Sequence, residues 1–111
     1  MTMYIVKKRF EIAGAHSLKL PYESKCNNLH GHNWIITVIC QSETLNAEGM
    51  VTDFALIKSK VSDILDHKNI NDILPFNPTA ENMAKWIHDQ IPNAHIVTVQ
   101  ESEGNEAIYE R

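Results

Sequence analysis

The sequence lacks the features that mark several common classes of protein. Only two of its 111 residues are cysteines, so a disulfide framework is not expected. No apolar run approaches the ~20 residues that a membrane-spanning helix needs, and residues 1–10 contain no apolar stretch after their basic side chains. We therefore expect a cytoplasmic protein with neither a secretory signal nor a membrane partner.

A surplus of positive charge is also absent. The chain has 10 Lys and Arg against 14 Asp and Glu, a formal net charge of -4. This balance gives no general attraction to nucleic acid, so no nucleic-acid partner is expected, and an anionic ligand would need a local basic patch. Hydrophobic residues make up 43% of the chain, which is ordinary for a globular protein, and the length fits one domain spanning residues 1–111.

The sequence patterns predict four strands and two helices. Alternating apolar residues, or clusters of β-branched and aromatic residues, predict strands at 3–16, 32–41, 95–101 and 106–109. Apolar residues at helical spacing predict helices at 53–65 and 79–91. Thr52 or Asp53 can cap the first helix and Thr79 the second. The order β-β-α-α-β-β is that of an α+β fold.

A short stretch around the start of the second strand concentrates possible metal ligands. His30 and His32 are two apart, so in a strand they share one face and can bind a single ion. His16 ends the first strand and would lie beside them in an antiparallel hairpin. Any one of these histidines alone would more simply be a loop or half-exposed residue. Together, three His ligands with an open fourth position are the pattern of a catalytic zinc site.

Several motifs, taken together, resemble one family. They lie at residues 10–16, 26–33, 65–67, 77–82 and 99–102. Each motif is weak alone, but the set covers nearly the whole chain in one order, and it resembles the 6-pyruvoyltetrahydropterin synthase family. The three residues between Cys26 and His30 resemble the spacing in its bacterial branch, the 6-carboxytetrahydropterin synthases of the queuosine (7-deazapurine) pathway.

The resemblance implies a metal, a fold and an assembly. His16, His30 and His32 match the Zn²⁺ ligands of the family. The implied fold is the tunnelling fold, a four-stranded antiparallel sheet with two helices on one face. Three subunits would form a barrel and two barrels a homohexamer, with active sites between subunits.

The resemblance also implies the catalytic groups. Cys26 matches the catalytic cysteine, and a thiol near a metal ionises more readily. Asp66 and His67 match the pair that completes proton transfer, although alone they would more simply be a helix-end pair. Glu101 matches the acid that anchors the pterin ring, although alone it would be a solvated strand end.

Two positions differ from the bacterial branch. Ser17 stands where that branch often has Arg, and Ser102 where Thr often follows the anchoring acid. The first difference concerns a phosphate contact. Lys19, Lys25 and Lys68 are candidates for binding a triphosphate, although most lysines are simply solvated.

The implied activity is that of a zinc-dependent lyase. Its substrate would be 7,8-dihydroneopterin triphosphate, and its products 6-carboxy-5,6,7,8-tetrahydropterin, acetaldehyde and triphosphate. The short spacing between Cys26 and His30 resembles the branch with this activity. One alternative within the family is a 6-pyruvoyltetrahydropterin synthase. An alternative of another class is a non-catalytic assembly module stabilised by zinc.

Overall fold

A computed structural model of the protein describes residues 2–111, which form an α+β fold. The strands are β1 (Tyr4–His16), β2 (His30–Ser42), β3 (Lys68–Asn69), β4 (Ala94–Ser102) and β5 (Asn105–Glu110). The α-helical segments are α1 (Phe54–Ile57), α2 (Asp63–Leu65) and α3 (Ala80–Gln90). A π-helical turn, Lys58–Ser62, joins α1 to α2 in one helical rod, and 3-10 turns span Lys25–Asn27 and Ile70–Asp72. The order of the predicted elements is confirmed.

The sheet has five strands rather than the predicted four, in the order β3-β1-β2-β4-β5. The four predicted strands pair antiparallel, but β3 runs parallel to β1 through Gly14 opposite Lys68 and Ala15 opposite Asn69. The prediction of a wholly antiparallel, four-stranded sheet was therefore wrong in this detail. A strand of two residues has no periodicity, so the sequence pattern could not distinguish β3 from the loop that follows α2.

The core lies between one face of the sheet and the helices. Its sheet residues include Ile12, Trp34, Ile36, Val38, Val97 and Val99. Its helix residues include Ile57, Val61, Leu65, Met83, Ala84 and Ile87. Burying each large aliphatic side chain contributes about 1.5–3 kcal/mol. This face of β1 and β2 carries the predicted alternation, which Lys8 interrupts in β1 and which leads to the three histidines.

Local contacts fix the strand ends and the helix starts. Trp34 is fully buried and donates its indole N–H to the Gly14 carbonyl at 3.0 Å, which holds β1 and β2 together next to His32. The predicted caps are present: Asp53 Oδ1 accepts the Ala55 N–H at 2.9 Å, and Thr79 Oγ1 accepts the Asn82 N–H at 3.1 Å. Within residues 2–111, no helix has the length and apolarity needed to cross a membrane.

Candidate active site

The pairing of β1 with β2 brings three histidines together at one end of the sheet. His16 lies opposite His30, and Gly14 lies opposite His32. The centroids of the imidazole rings are 4.6 Å apart for His16 and His30, 5.2 Å for His16 and His32, and 4.8 Å for His30 and His32. The antiparallel hairpin thus produces the convergence that the shared parity of these residues predicted.

Glu101, near the end of β4, completes this cluster. Its Oε1 lies 3.2 Å from His16 Nε2 and 3.4 Å from His32 Nε2. One donor atom from each of His16, His30, His32 and Glu101 lies within 4.8 Å of the others, so the group could hold a metal ion. The sequence resemblance implied only that Glu101 anchors a pterin. The structure also places its carboxylate beside the histidines.

The donor atoms of the cluster fit a metal ion. His16 Nδ1 donates to the Pro78 carbonyl at 2.8 Å, and His30 Nδ1 donates to the Asn28 carbonyl at 2.7 Å. Because a carbonyl only accepts, each Nδ1 carries the proton and each Nε2 keeps its lone pair for a metal.

Two of the Nε2 atoms lack a partner in the part of the chain that the structure describes. The buried Nε2 atoms of His16 and His32 make no hydrogen bond, although Glu101 Oε1 is close to both. An unpaired buried polar atom costs about 1–3 kcal/mol, and a bound cation would remove that cost. Burial lowers the pKa of both histidines and so favours the neutral imidazole that binds metals.

Asp66 and His67 lie directly after α2, beside β1. Asp66 Oδ1 accepts the Ala13 N–H at 2.9 Å and lies 3.1 Å from His67 Nδ1. The hydrogen bond from the Ala13 N–H holds the pKa of Asp66 below its usual range, and the nearby His67 lowers it further. His67 has an exposed side chain and a φ of 59°, a left-handed conformation that is uncommon outside glycine. Its own N–H donates to the Ala13 carbonyl at 2.7 Å and stabilises this conformation.

An open pocket lies beside His67 and includes one histidine of the cluster in its lining. The pocket has a volume of about 520 Å³, and His32, His67 and Lys68 contribute to its lining. Of the other two lysines considered for phosphate binding, Lys19 borders a separate pocket of about 390 Å³. The structure therefore brings His67 and one candidate lysine to the same pocket as His32 of the cluster.

The two cysteines have different environments. Cys26 is half-buried in the 3-10 turn Lys25–Asn27 and has a free thiol. It is not among the four residues that could share a metal ion. Cys40 is fully buried in the core, and burial raises the pKa of its thiol, which is typical of an unreactive, structural cysteine.

The residues that tie these parts together were not predicted from the sequence. Asn71 and Asn77 hydrogen-bond through their side chains to the backbone of Ser17 and Lys19, respectively. These partners are 54 and 58 positions away along the chain. A local sequence pattern contains no signal for such contacts.

Comparison with known proteins agrees with this geometry. The sequence model of the 6-pyruvoyl tetrahydropterin synthase family matches residues 5–111. The chain is 35% identical to the 6-carboxy-5,6,7,8-tetrahydropterin synthase of Synechocystis sp., over 96% of this chain and 93% of that protein. It is 36% identical to the dihydroneopterin monophosphate aldolase of Pyrococcus furiosus, over 75% of this chain and 70% of that protein.

A solved structure gives the same result for the fold. The 6-pyruvoyl tetrahydropterin synthase of Caenorhabditis elegans superposes with a TM-score of 0.78 and 26% identity, over 100% of this chain and 97% of that one. The resemblance first seen in the motifs is thereby confirmed, and the named relatives are enzymes that process pterins. The chain belongs to the 6-pyruvoyl tetrahydropterin synthase family.

Proposed function

We propose that the protein is a zinc-dependent lyase of the queuosine pathway. It would convert 7,8-dihydroneopterin triphosphate to 6-carboxy-5,6,7,8-tetrahydropterin, acetaldehyde and triphosphate. The observation that carries the proposal is the convergence of His16, His30 and His32. One of them, His32, lines the same pocket as His67. The identity with the Synechocystis enzyme, over nearly the full length of both chains, supports the choice of this reaction.

The histidine cluster would hold the ion through its Nε2 atoms. When bound, zinc supplies Lewis acidity, which lowers the pKa of the hydroxyl groups on the substrate side chain. The Pro78 and Asn28 carbonyls keep the His16 and His30 rings oriented for this.

Proton transfer is assigned to Cys26 and His67. The Cys26 thiolate would remove a proton from the substrate side chain, as a general base. Asp66 faces His67 Nδ1 at 3.1 Å, so Nε2 is the atom of His67 that would exchange a proton with the substrate.

Glu101 and Lys68 are assigned to substrate binding. A carboxylate can accept two N–H groups from the guanidine-like edge of a pterin in a charge-assisted pair. Glu101 Oε1 is the oxygen nearest the histidines, so a pterin bound to this carboxylate would lie beside the histidine cluster. Lys68 borders the pocket next to His67, where its ammonium group could bind the triphosphate.

The product distinguishes this reaction from its alternative within the family. The superposed Caenorhabditis elegans enzyme is named as a 6-pyruvoyl tetrahydropterin synthase, and both outcomes need a metal, a base and an acid. The zinc-loaded protein, incubated with 7,8-dihydroneopterin triphosphate, should yield the 6-carboxy compound and acetaldehyde in equal amounts by mass spectrometry. A 6-pyruvoyl product without acetaldehyde would assign the alternative function, and no conversion would favour the assembly module.

The free sheet edges support assembly into a ring. Because β3 pairs only with Gly14 and Ala15, most of β1 has an open edge, and β5 forms the other edge of the sheet. The β1 edge carries Lys7 and Arg9, whereas exposed Glu106 lies on β5. Unpaired edges promote association, and pairing β1 of one subunit with β5 of the next would bring opposite charges together. We propose that three such contacts close a barrel and that two barrels form the homohexamer.

The charges on these edges provide a test of the assembly. The wild-type protein should sediment as a hexamer at micromolar concentration. The Lys7→Glu/Arg9→Glu variant should dissociate, because both edges would then be acidic. Adding Glu106→Lys and Glu110→Lys to that variant should restore association, since the charges are exchanged rather than lost. A stable wild-type monomer would contradict the proposed assembly and the sharing of sites between subunits.

A further inference from the structure

Side chains extend the short strand β3 at both of its ends. At one end, Asp66 Oδ1 accepts the Ala13 N–H. At the other end, Asn71 Oδ1 accepts the Ser17 N–H at 2.8 Å, and Asn71 Nδ2 donates to the Ser17 carbonyl at 2.9 Å. The Asn71 amide therefore pairs with the Ser17 backbone as a neighbouring strand would. Residues 66–71 are therefore held along the end of β1 that leads to the histidine cluster.

The backbone that Asn71 holds leads to two groups of the site. Ser17 directly follows His16. The next residue, Leu18, donates its N–H to the Cys26 carbonyl at 2.7 Å. The Ser17 carbonyl that Asn71 binds and the Leu18 N–H that binds Cys26 belong to the same peptide unit. The position of this turn relative to the histidines depends on where Ser17 is held.

Asn71 is itself fixed by its surroundings. It lies in the 3-10 turn Ile70–Asp72, and its N–H donates to Asn69 Oδ1 at 3.1 Å. The adjacent Ile70 is fully buried against Gly14, where an added Cβ would lie 2.9 Å from Ile70 Cδ1. The asparagine is therefore attached to a packed part of the core, and its part-buried hydrogen bonds connect the loop to that core.

A second asparagine makes a weaker contact of the same kind. Asn77 Oδ1 accepts the Lys19 N–H at 2.9 Å, but Asn77 Nδ2 lies 3.4 Å from the Lys19 carbonyl, and both hydrogen bonds are exposed. Longer and solvated hydrogen bonds contribute less to stability. Of the two asparagines, Asn71 therefore makes the stronger connection to the Cys26 loop.

We propose that Asn71 is a positioning residue, which holds the loop of Cys26 at a fixed place beside the strand end that carries His16. The inference rests on the proposed function, in which the Cys26 thiol acts on a substrate bound at the histidines. Removing the amide leaves the metal ligands intact but releases the Ser17 backbone. The thiol then samples positions from which it cannot reach the substrate.

Asn71→Ala tests this role against a matched control. Asn93 also donates to a backbone carbonyl, that of Val51 at 2.8 Å, but lies next to Gln41 at the other end of β2. Its φ of 63° adds strain to an alanine there, so Asn93→Ala should lose at least as much stability as Asn71→Ala. Both variants are compared for zinc content, thermal midpoint, kcat and KM.

The expected result separates positioning from general destabilisation. Asn71→Ala should keep its zinc and lose about 10- to 100-fold in kcat with little change in KM, because a displacement of about 1 Å can cost 100-fold. Asn93→Ala should keep the kcat of the wild type. Equal kcat values for Asn71→Ala and the wild type, or equal losses in both variants, would overturn the proposal.

A second measurement does not depend on turnover. Alkylation of Cys26 by a maleimide can be followed in the presence of the buried, unreactive Cys40. Its rate should rise in Asn71→Ala and stay unchanged in Asn93→Ala, because only the first releases the loop. An unchanged rate in Asn71→Ala would overturn the inference. If the wild type converted no pterin but the rate rose as expected, the proposed function would fail and the role of Asn71 in holding the loop would stand.

Discussion

Cys26→Ala is expected to lower the turnover of 7,8-dihydroneopterin triphosphate by about 100-fold or more, since a general base contributes 10²–10⁴-fold. The variant should keep its zinc, because Cys26 is not among the four residues that could share a metal ion. It should also keep its fold, because the side chain lies in a loop turn outside the buried core. The measurements are kcat from product formation, metal content by mass spectrometry, and the thermal midpoint.

Cys40→Ala is the matched control for this experiment. Cys40 is fully buried among core residues, so its removal costs packing energy but leaves the proposed proton transfer intact. We expect a lower thermal midpoint and unchanged turnover. Full activity in Cys26→Ala would show that Cys26 is not the general base. Loss of zinc from Cys26→Ala would make Cys26 a ligand and favour a closed, structural site over a catalytic one.

His16→Ala is expected to have the largest effect on metal binding. His16 is fully buried, and its oriented Nε2 faces the other donors. Without it, two imidazoles and a carboxylate remain. Changes to residues that merely orient a ligand already cost 10- to 100-fold in metal affinity, so the loss of a ligand should exceed about 100-fold. Zinc content after dialysis against a weak chelator should fall from one ion per chain to a small fraction.

His95→Ala controls for the loss of a histidine as such. Its Nδ1 also lies near a backbone carbonyl, that of Arg111 at 3.1 Å, but it is outside the cluster. This variant should retain one zinc per chain. Full zinc occupancy in a variant that lacks His16, His30 and His32 together would show that the metal binds elsewhere.

The sequence contained enough information to predict the convergence of the histidines. His16, His30 and His32 all lie on the face of their strands that continues into the alternating core residues. A simple hairpin was therefore sufficient to bring them together. The helix starts were predictable for a similar reason, because Asp53 and Thr79 cap them locally.

The remaining features depend on contacts that are distant in sequence. Glu101 reaches the histidines because β4 pairs with β2, and an irregularity in the pairing of β4 with β5 lies between Gln100 and Ser102. Neither the pairing nor the irregularity has a local signature. Nor does the contact between Asn71 and Ser17, since a side chain bonded to a distant backbone leaves no periodic pattern. The apolar residues around the π-helical turn keep the spacing of an ordinary α-helix. The sequence pattern therefore could not predict this turn.

The dependence of the reaction on zinc tests the central claim most directly. The wild-type protein is freed of metal with a chelator and titrated with zinc, while the 6-carboxy product is measured by mass spectrometry after incubation with 7,8-dihydroneopterin triphosphate. A site built from His16, His30 and His32 predicts that product formation is absent without metal, rises in proportion to added zinc and stops rising at one ion per chain. Product formation at the full rate in the metal-free protein, or none at saturating zinc, would contradict it.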